Sequence, residues 1–151
     1  EMTLRIPPPL VVLVAALLIW IIARYFPMPL LVTPAISIIA GVIAACGIAV
    51  VLLGVVAFRQ SQTTLDPLHP EGASSLVTRG VYRYTRNPMY LGFALVLLAW
   101  ALYLSAWLGL LIVGVYVEYM NRFQIKPEEK ALESRFGQEF LQYKKAVRRW
   151  L

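Results

Sequence analysis

Two short polar segments, each next to a long apolar run, contain the residues best suited to chemistry. The first, residues 86–92, reads Arg-Asn-Pro-Met-Tyr-Leu-Gly, and the second, residues 126–130, reads Lys-Pro-Glu-Glu-Lys. Arginine binds carboxylates, glutamate accepts hydrogen bonds from hydroxyl pairs, and aromatic rings attract cations. If both segments lie on one side of a membrane, they can bind one ligand between them. The alternative is a basic, aromatic anchor at the head of a transmembrane helix, with Pro88 in its first turn.

Several reaction classes lack the residues that they need. The sequence has a single histidine, His69, no G-x-S-x-G motif and no Walker or kinase glycine loop, which excludes a nucleophilic triad and ordinary phosphoryl transfer. Because the single cysteine, Cys46, is far from His69 in the sequence, we expect no metal site. Group transfer from an activated donor remains, since positioning and exclusion of water supply most of its rate. S-adenosylmethionine combines a carboxylate, a ribose diol and a sulfonium, so it matches the residue types of both segments.

The composition is that of an integral membrane protein. Of the 151 residues, 60% are hydrophobic, and the mean hydropathy is +0.69. The net charge is +6, but the basic residues flank the apolar runs. We therefore expect anionic lipid headgroups, and not nucleic acid, as the electrostatic partner.

The apolar runs predict an all-α integral membrane protein with four transmembrane helices and a C-terminal amphipathic helix on the cytoplasmic side. The uncharged stretch from Met89 to Val117 allows either one tilted span or a helical hairpin with Ser105 at its bend. The hairpin puts the arginine-rich loop, the basic tail and both termini in the cytoplasm, as the positive-inside rule requires. The predicted segments of this single domain, residues 1–151, are spans at 10–26, 32–58, 88–104 and 106–125, a cofactor-site loop at 59–87 and a C-terminal helical segment at 127–149.

Small residues in the second span predict a close contact between helices. They recur at four-residue spacing in the pairs Ala40/Ala44, Gly41/Ala45 and Ala45/Ala49. Small side chains on one face allow another helix to approach closely in a membrane. We expect these positions to pack and not to take part in chemistry.

Two charged residues near the inner end of the fourth span need an explanation. Glu118 and Arg122 are four residues apart, so they lie on one face of a helix. An ionisable pair at that depth is costly unless protein buries it or it lines a cavity, so it is either a functional site or an ion pair that locks two helices. The basic tail, residues 144–150, is expected at the membrane surface with Trp150 at headgroup depth, and Gly137 can split the C-terminal helix.

The order of the motifs resembles the isoprenylcysteine carboxyl methyltransferase and phospholipid methyltransferase superfamily of membrane enzymes. The family pattern is R-H-P-x-Y-x-G, a helical hairpin, E-E, and then F-G-x-x-Y-x-x-Y. It is similar to residues 86–92, 128–129 and 136–143 of this chain, and the resemblance covers about residues 59–151. The combined order and spacing are far more specific than any single motif.

The sequence departs from the family pattern at two positions. Asn87 stands where the family has histidine, and Phe140 stands where it has the first tyrosine of its last motif. Asparagine donates hydrogen bonds but does not titrate near neutral pH. A role as general base is therefore not expected at this position.

The resemblance implies an S-adenosylmethionine site at the cytoplasmic end of the hairpin, under the terminal segment, with a lipid-facing opening for an apolar acceptor. The residues assigned to catalysis are Arg86, Glu118 and Arg149. The positions that fall on the cofactor site are Leu76, Val77, Gly80, Tyr82, Arg86, Asn87, Tyr90, Glu128 and Glu129.

The acceptor is open between two chemical classes, because the superfamily methylates both prenylcysteine carboxylates and phosphatidylethanolamine-type amines. A carboxylate acceptor needs a cation beside the methyl group, which Arg148 or Arg149 supplies, whereas an amine acceptor needs a carboxylate such as Glu118 to take its proton. The many arginines favour a carboxylate acceptor, so the expected partners are a lipophilic or lipid-linked substrate and membrane lipid. An NADPH-dependent membrane reductase and a non-enzymatic membrane adaptor are the other candidate classes.

Overall fold

The computed structural model describes residues 6–28, 33–61 and 75–151. All regular structure in these ranges is helical, which confirms the predicted all-α class. Residues 62–74 of the predicted cofactor-site loop, including His69, lie outside the described residues. The elements in chain order are α1 (Pro8–Tyr25), α2 (Pro34–Gln60), a 3₁₀ turn (Gly80–Arg83), α3 (Pro88–Tyr103), α4 (Gly109–Tyr119), a π-helical segment (Met120–Ile125), α5 (Lys126–Phe136) and α6 (Gln138–Ala146).

Proline marks the start of most of the longer helices. α1, α2 and α3 each have proline at the first or second position, where its missing N–H costs no hydrogen bond. α5 also has proline at its second position, but it continues directly from the π-helical segment. Thr33 also caps α2, because its hydroxyl accepts a hydrogen bond from the backbone N–H of Ile36 at 3.3 Å. The first three predicted spans therefore agree with the helix bounds to within about two residues.

The surfaces of α1 and α2 suit a bilayer. Both helices are long and apolar enough to cross a membrane, whereas α3 is a shorter apolar helix of 16 residues. Only 17% of the apolar window of either long helix is buried, and the exposed side carries aliphatic residues such as Leu13, Ile38 and Leu52. A core helix of a water-soluble protein would bury most of this surface, so lipid is the solvent that suits it.

α3 and α4 form an antiparallel hairpin, the second of the two alternatives that the sequence allowed. The chain reverses at Ser105, a buried residue with φ of +53°. Near the other end of the hairpin, the Tyr116 hydroxyl donates a hydrogen bond to the Tyr90 carbonyl at 3.2 Å. α4 begins at Gly109, three residues after the predicted start of the fourth span, 106–125, because the residues before Gly109 form the turn. The last six residues of that span are π-helical.

α2 and α3 approach most closely where two glycines meet. A Cβ atom on Gly47 would lie 2.8 Å from the Gly92 carbonyl oxygen, and a Cβ atom on Gly92 would lie 2.5 Å from the Gly47 oxygen. A larger residue at either position would push the helices apart. The predicted close contact exists, but Gly41 and Ala45 are exposed. The buried residues of α2 are Ala40, Gly47, Gly54 and Ala57.

The face of α2 that packs on α3 therefore repeats at seven residues, from Ala40 to Gly47 to Gly54, and not at the predicted four. A seven-residue repeat keeps one helical face on its neighbour over several turns. A four-residue repeat drifts around the helix, which is why the predicted pairs are not all on the buried side.

The start of α3 defines what we call the polar end of the bundle. The last part of α2 lies there, because Gly54 packs against Pro88, the first residue of α3. A Cβ atom on Gly54 would be 3.1 Å from the Pro88 ring. α1 begins there, since Ile6 and Tyr119 line one cavity. α4 and the π-helical segment also end there, so four helices bring chain ends to one side of the molecule.

The C-terminal part of the chain contains two helices joined at Gly137. α4, the π-helical segment and α5 follow each other without interruption. Gly137 ends this run with φ of +56°, a conformation that other residues adopt at a cost. The predicted single segment 127–149 is thus α5 and α6, with the split at the glycine that the sequence indicated. The helix ends at Ala146 and Val147 is extended, so residues 147–149 of the predicted segment are not helical.

Candidate functional site

The two polar segments meet at the polar end, although 43 positions separate Arg86 from Glu129. Arg86 Nη1 donates a hydrogen bond to Glu129 Oε1 at 2.8 Å. The Tyr90 hydroxyl donates one to Glu128 Oε1 at 2.5 Å. The hairpin explains the meeting, because α3 begins where the π-helical segment ends. These residues and Arg149 form what we call the polar cluster.

Glu129 lies at the centre of the polar cluster and is only 8% exposed. Arg149 binds it with a fork, Nε to Oε1 at 3.0 Å and Nη2 to Oε2 at 2.7 Å, while Arg86 binds Oε1 from α3. Charge-assisted hydrogen bonds of this kind replace the water that burial removes from a carboxylate. The hydrogen bond to Glu129 also raises the pKa of the Arg149 guanidinium, which keeps it charged.

Arg86 has a buried donor that no described residue satisfies. Its side chain is 9% exposed, and its Nε–H makes no hydrogen bond within the described part of the chain. Buried donors in native proteins almost always have a partner, and an unmet donor costs about 1–3 kcal/mol. A ligand with an acceptor group beside Nε would remove this cost. The atom therefore marks a place where an anionic or carbonyl group can bind.

Glu128 is held by two donors from different helices. Besides the Tyr90 hydroxyl, Gln124 Nε2 donates to Glu128 Oε1 at 2.6 Å. Gln124 is buried in the π-helical segment, and sequence reasoning missed it. Its spacing of four residues from Glu128 is the signal that could have found it, but the predicted break between 125 and 127 concealed the pair.

The tail is attached to the start of α3 through its backbone. The Arg149 carbonyl accepts hydrogen bonds from Asn87 Nδ2 at 2.9 Å and from the Thr85 hydroxyl at 3.3 Å. The Arg148 carbonyl accepts one from the Arg86 backbone N–H at 3.0 Å. Sequence reasoning did not single out Thr85, which is fully buried.

The far side of the tail is attached to the π-helical segment. The Trp150 indole donates a hydrogen bond to Asn121 Oδ1 at 2.9 Å, and its ring packs on the main hydrophobic core. We call residues 147–150 the strap, because they join α3 to the π-helical segment across the polar end. The expectation that Trp150 lies at headgroup depth stays a prediction, since its depth in a membrane depends on the orientation of the bundle.

The upstream positions assigned to the cofactor lie beside the polar cluster. Val77 and Tyr82 are buried against the end of α2, and the Tyr143 hydroxyl of α6 donates to the Tyr82 carbonyl at 2.7 Å. Burial raises the pKa of the Tyr82 phenol, and the nearby Tyr143 and Glu128 raise it further. Burial likewise raises the pKa of Tyr143, against an opposing effect of Arg86. Both phenols therefore stay protonated at neutral pH.

The other two upstream positions are less enclosed. Leu76 is half-buried, and Gly80 is exposed with φ of +62°. Gly80 begins the 3₁₀ turn that contains Tyr82, and its conformational freedom allows the positive φ at this start. In the described residues neither position contacts a side chain of the polar cluster through a hydrogen bond.

Glu118 is not brought into the polar cluster. It is exposed on α4 and precedes Glu129 by eleven residues, or roughly 16 Å of helix. No ion pair joins it to Arg122 within 4 Å; the Arg122 guanidinium lies 5.7 Å from the centre of the Phe123 ring instead. Among the described residues no group of three histidine, cysteine or acidic side chains could hold a metal ion.

Comparison with known families shows which protein family the chain belongs to. The phospholipid methyltransferase family matches residues 35–139, from the first turn of α2 into α6. The chain belongs to the phospholipid methyltransferase family. This membership agrees with the resemblance of its motifs and supports a methyltransferase in a membrane. The matched range ends before Arg149, whose place in the polar cluster follows from the tertiary structure alone.

Relatives outside the family description add little about function. A protein of Haemophilus influenzae, described as uncharacterized, is 52% identical over 66 residues, which are 42% of this chain and 100% of that protein. No solved structure matches the chain.

Proposed function

We propose that this phospholipid methyltransferase family member transfers a methyl group from S-adenosylmethionine to a lipophilic acceptor at the cytoplasmic face of the membrane. The observation that carries the proposal is the buried Arg86, which has an unmet Nε donor and is bound to Glu129. A helix anchor would need a basic residue in water and no such enclosed contacts. A ligand site needs both the donor and the neighbouring carboxylates.

The residues of the polar cluster fit the methyl donor. Arg86 would bind the amino-acid carboxylate through Nε, and Glu128 and Glu129 would accept hydrogen bonds from the ribose hydroxyls. When bound, the donor supplies a methyl group activated by a positively charged sulfur. The chain holds the donor against the acceptor and keeps water out, which is where most of the rate of such a transfer arises.

An apolar cavity beside the polar cluster suits a lipophilic acceptor. It lies between α1 and α4, has a volume of about 210 Å³ and is lined by aliphatic side chains and two tyrosines. One of them, Tyr116, donates to the Tyr90 carbonyl, and the Tyr90 hydroxyl binds Glu128. A chain bound in the cavity would thus hold its polar head near the cluster.

The charge around the polar cluster favours a carboxylate acceptor of the isoprenylcysteine type. Two arginines bind Glu129, and Arg148, next to them, is exposed and has no acidic partner within 4 Å among the described residues. An amine acceptor would need a free base, and Glu118 is exposed and remote from Glu129. A phospholipid amine is the second candidate, favoured by the name of the family.

The helix lengths support a four-span arrangement with both termini in the cytoplasm. α1 and α2 are each long enough to cross a bilayer. α3 has 16 residues, and α4 with the π-helical segment has 11 and 6, so each arm of the hairpin is about 24–26 Å long. That length spans a bilayer core with slight thinning. Arg83, Arg148 and the lysines of α6 all lie at the polar end, as cytoplasmic basic residues do.

Binding of three ligands to the purified protein in detergent tests the proposal. We expect calorimetry to detect S-adenosylmethionine and its demethylated product but not NADPH. Methyl transfer from labelled donor is then compared between an S-prenylated cysteine with a free carboxylate and phosphatidylethanolamine in vesicles. Methylation of the first supports the carboxylate proposal, and methylation of the second alone selects the amine alternative.

Two results would overturn the methyltransferase proposal. Binding of NADPH without binding of S-adenosylmethionine would identify a reductase. Absence of binding by all three ligands, for protein whose helical content and unfolding transition are intact, would identify a non-enzymatic membrane protein.

A further inference from the structure

Asn87 occupies the position before Pro88 where an asparagine ordinarily caps a helix. A capping asparagine accepts a hydrogen bond from a backbone N–H one turn into the helix through its side-chain oxygen. Asn87 is the N-cap residue of α3, yet its side chain makes no capping hydrogen bond. Its amide nitrogen instead donates to the Arg149 carbonyl at 2.9 Å. The ordinary structural reason for asparagine at this position is therefore absent.

The hydrogen bond from Asn87 fixes the main chain from which the Arg149 side chain extends. Thr85 supplies a second donor to the same carbonyl at 3.3 Å, and its hydroxyl oxygen accepts the Asn87 backbone N–H at 3.1 Å. The Arg149 guanidinium then reaches Glu129 with its fork at 3.0 and 2.7 Å. Arg149 is thus held at both ends, by neutral donors on its carbonyl and by a carboxylate on its side chain.

We propose that Asn87 is a positioning residue that acts through Arg149: it places the guanidinium on Glu129 and does not itself bind the methyl donor. Displacement of a charged group by about 1 Å in a preorganised site can cost about 100-fold in rate. This inference rests on the proposed function for its activity measurement, but its effect on the strap is independent of any reaction.

The required property of residue 87 is a hydrogen-bond donor that faces a carbonyl. An amide nitrogen is a donor at every pH, whereas a carboxylate only accepts. Asn87→Asp keeps the shape of the side chain and places a negative oxygen opposite the Arg149 carbonyl oxygen. Asn87→Ala removes the donor without adding charge, and Asn87→His restores a donor.

Asn121→Asp is the matched control. The Asn121 side chain accepts a hydrogen bond from the Trp150 indole at 2.9 Å, and an aspartate oxygen accepts it equally well. The same chemical change is thus made on both sides of the strap, and only at Asn87 does it remove a needed donor.

The experiment measures four quantities on the full chain in detergent. The rate of trypsin cleavage after Arg149 is followed by the intact mass of the protein. This rate reports how often the strap opens, because trypsin cleaves the open form. Calorimetry gives the Kd of S-adenosylmethionine. Initial rates give kcat and KM with the S-prenylated cysteine or with phosphatidylethanolamine in vesicles, whichever of the two the unchanged chain methylates. We expect Asn87→Asp and Asn87→Ala to speed cleavage by about tenfold or more and to lower kcat by about tenfold or more, with the donor Kd changed by less than about threefold.

Asn87→His should recover part of both losses, and Asn121→Asp should behave like the unchanged chain. A rise in the donor Kd without faster cleavage would show that Asn87 binds the donor directly and would overturn the inference. Unchanged cleavage in both donor-removing variants, or faster cleavage with unchanged kcat, would overturn it as well. If the unchanged chain binds no S-adenosylmethionine, the proposed function fails, while the cleavage rates still decide whether Asn87 holds the strap. If Asn87→Asp does not fold, Asn87→Ala decides the matter alone.

Discussion

At the scale of residues, Arg86 contributes two hydrogen-bond donors in fixed directions as well as a positive charge. Nη1 binds Glu129 at 2.8 Å, while Nε remains available in a buried position. A planar guanidinium offers both donors in a fixed relation, and an ammonium group does not. The site therefore depends on arginine itself and not only on a positive charge.

Replacement of Arg86 by lysine tests this dependence. Arg86→Lys keeps the charge beside Glu129 but loses the second donor, so we expect donor affinity and methyl transfer to fall by about tenfold or more, which corresponds to about 1.4 kcal/mol. Arg83→Lys is the control, because Arg83 is exposed in the 3₁₀ turn three positions earlier. Near-normal turnover of Arg86→Lys would restore the interpretation of this segment as a membrane anchor.

At the scale of elements, the hairpin and the α2–α3 contact position the cluster. The hairpin returns the chain to the polar end, and the π-helical segment carries Gln124 into contact with Glu128. π-Helical turns are often found at functional sites because the extra residue redirects side chains. Gly92 belongs to the motif that begins with Arg86, yet its role is to let α3 lie against Gly47 of α2.

A comparison within α2 tests the glycine contact. A Cβ atom at residue 47 would lie 2.8 Å from a backbone oxygen, so Gly47→Ala should destabilise the bundle by about 1–3 kcal/mol. Gly41→Ala is the control, since a Cβ atom there meets nothing within 4 Å and alanine favours helix. Thermal unfolding in detergent gives the two stabilities. Equal unfolding midpoints would contradict the close α2–α3 contact.

The cavity between α1 and α4 has a test of its own. Val115 lines the cavity, whereas Leu111, one turn earlier on α4 and also exposed, does not. We expect Val115→Trp to fill the cavity and to raise KM for a long-chain acceptor several-fold, which corresponds to a loss of roughly 1 kcal/mol in acceptor binding. The affinity for the methyl donor should not change. Leu111→Trp should change neither. The same KM for both variants would place the acceptor elsewhere.

At the scale of the whole molecule, the described part of the bundle brings the two polar segments of the sequence to one end. The polar cluster, the strap and the basic residues of α6 lie there, while the opposite end holds the turn at Ser105. Such segregation suits the proposed reaction, in which a water-soluble donor meets an acceptor dissolved in lipid. Each reactant can approach the cluster from its own solvent.

Labelling of single cysteines tests the proposed four-span topology. In a Cys46→Ser background, Ser134→Cys on α5 should react with a membrane-impermeant maleimide only from the cytoplasmic side. Leu108→Cys, at the turn between α3 and α4, should react only from the other side. Both positions are exposed, so accessibility within the bundle does not bias the result. Reaction of both cysteines from the same side would rule out a spanning hairpin.

The sequence by itself determined the features that depend on local chemistry. Composition indicated a membrane protein, prolines marked helix starts, and Gly137 marked the break between α5 and α6. The order of motifs indicated the methyltransferase family and predicted that Arg86, Tyr90, Glu128 and Glu129 lie together, as their hydrogen bonds show; their role in cofactor binding stays a prediction. These inferences succeed because a run of apolar residues or a glycine with positive φ has the same local preference in most folds.

Only the tertiary structure decided which distant groups meet. From the sequence, the uncharged stretch 89–117 could be one span or a hairpin. Any of several stripes of small residues on α2 could be the face that packs on α3. The contacts of Asn87 with Arg149 and of Gln124 with Glu128 depend on where the strap and the π-helical segment come to rest. Many such arrangements satisfy the same local preferences, and the choice among them lies in the packing of the whole bundle, where close contact and hydrogen bonding are possible in one arrangement only.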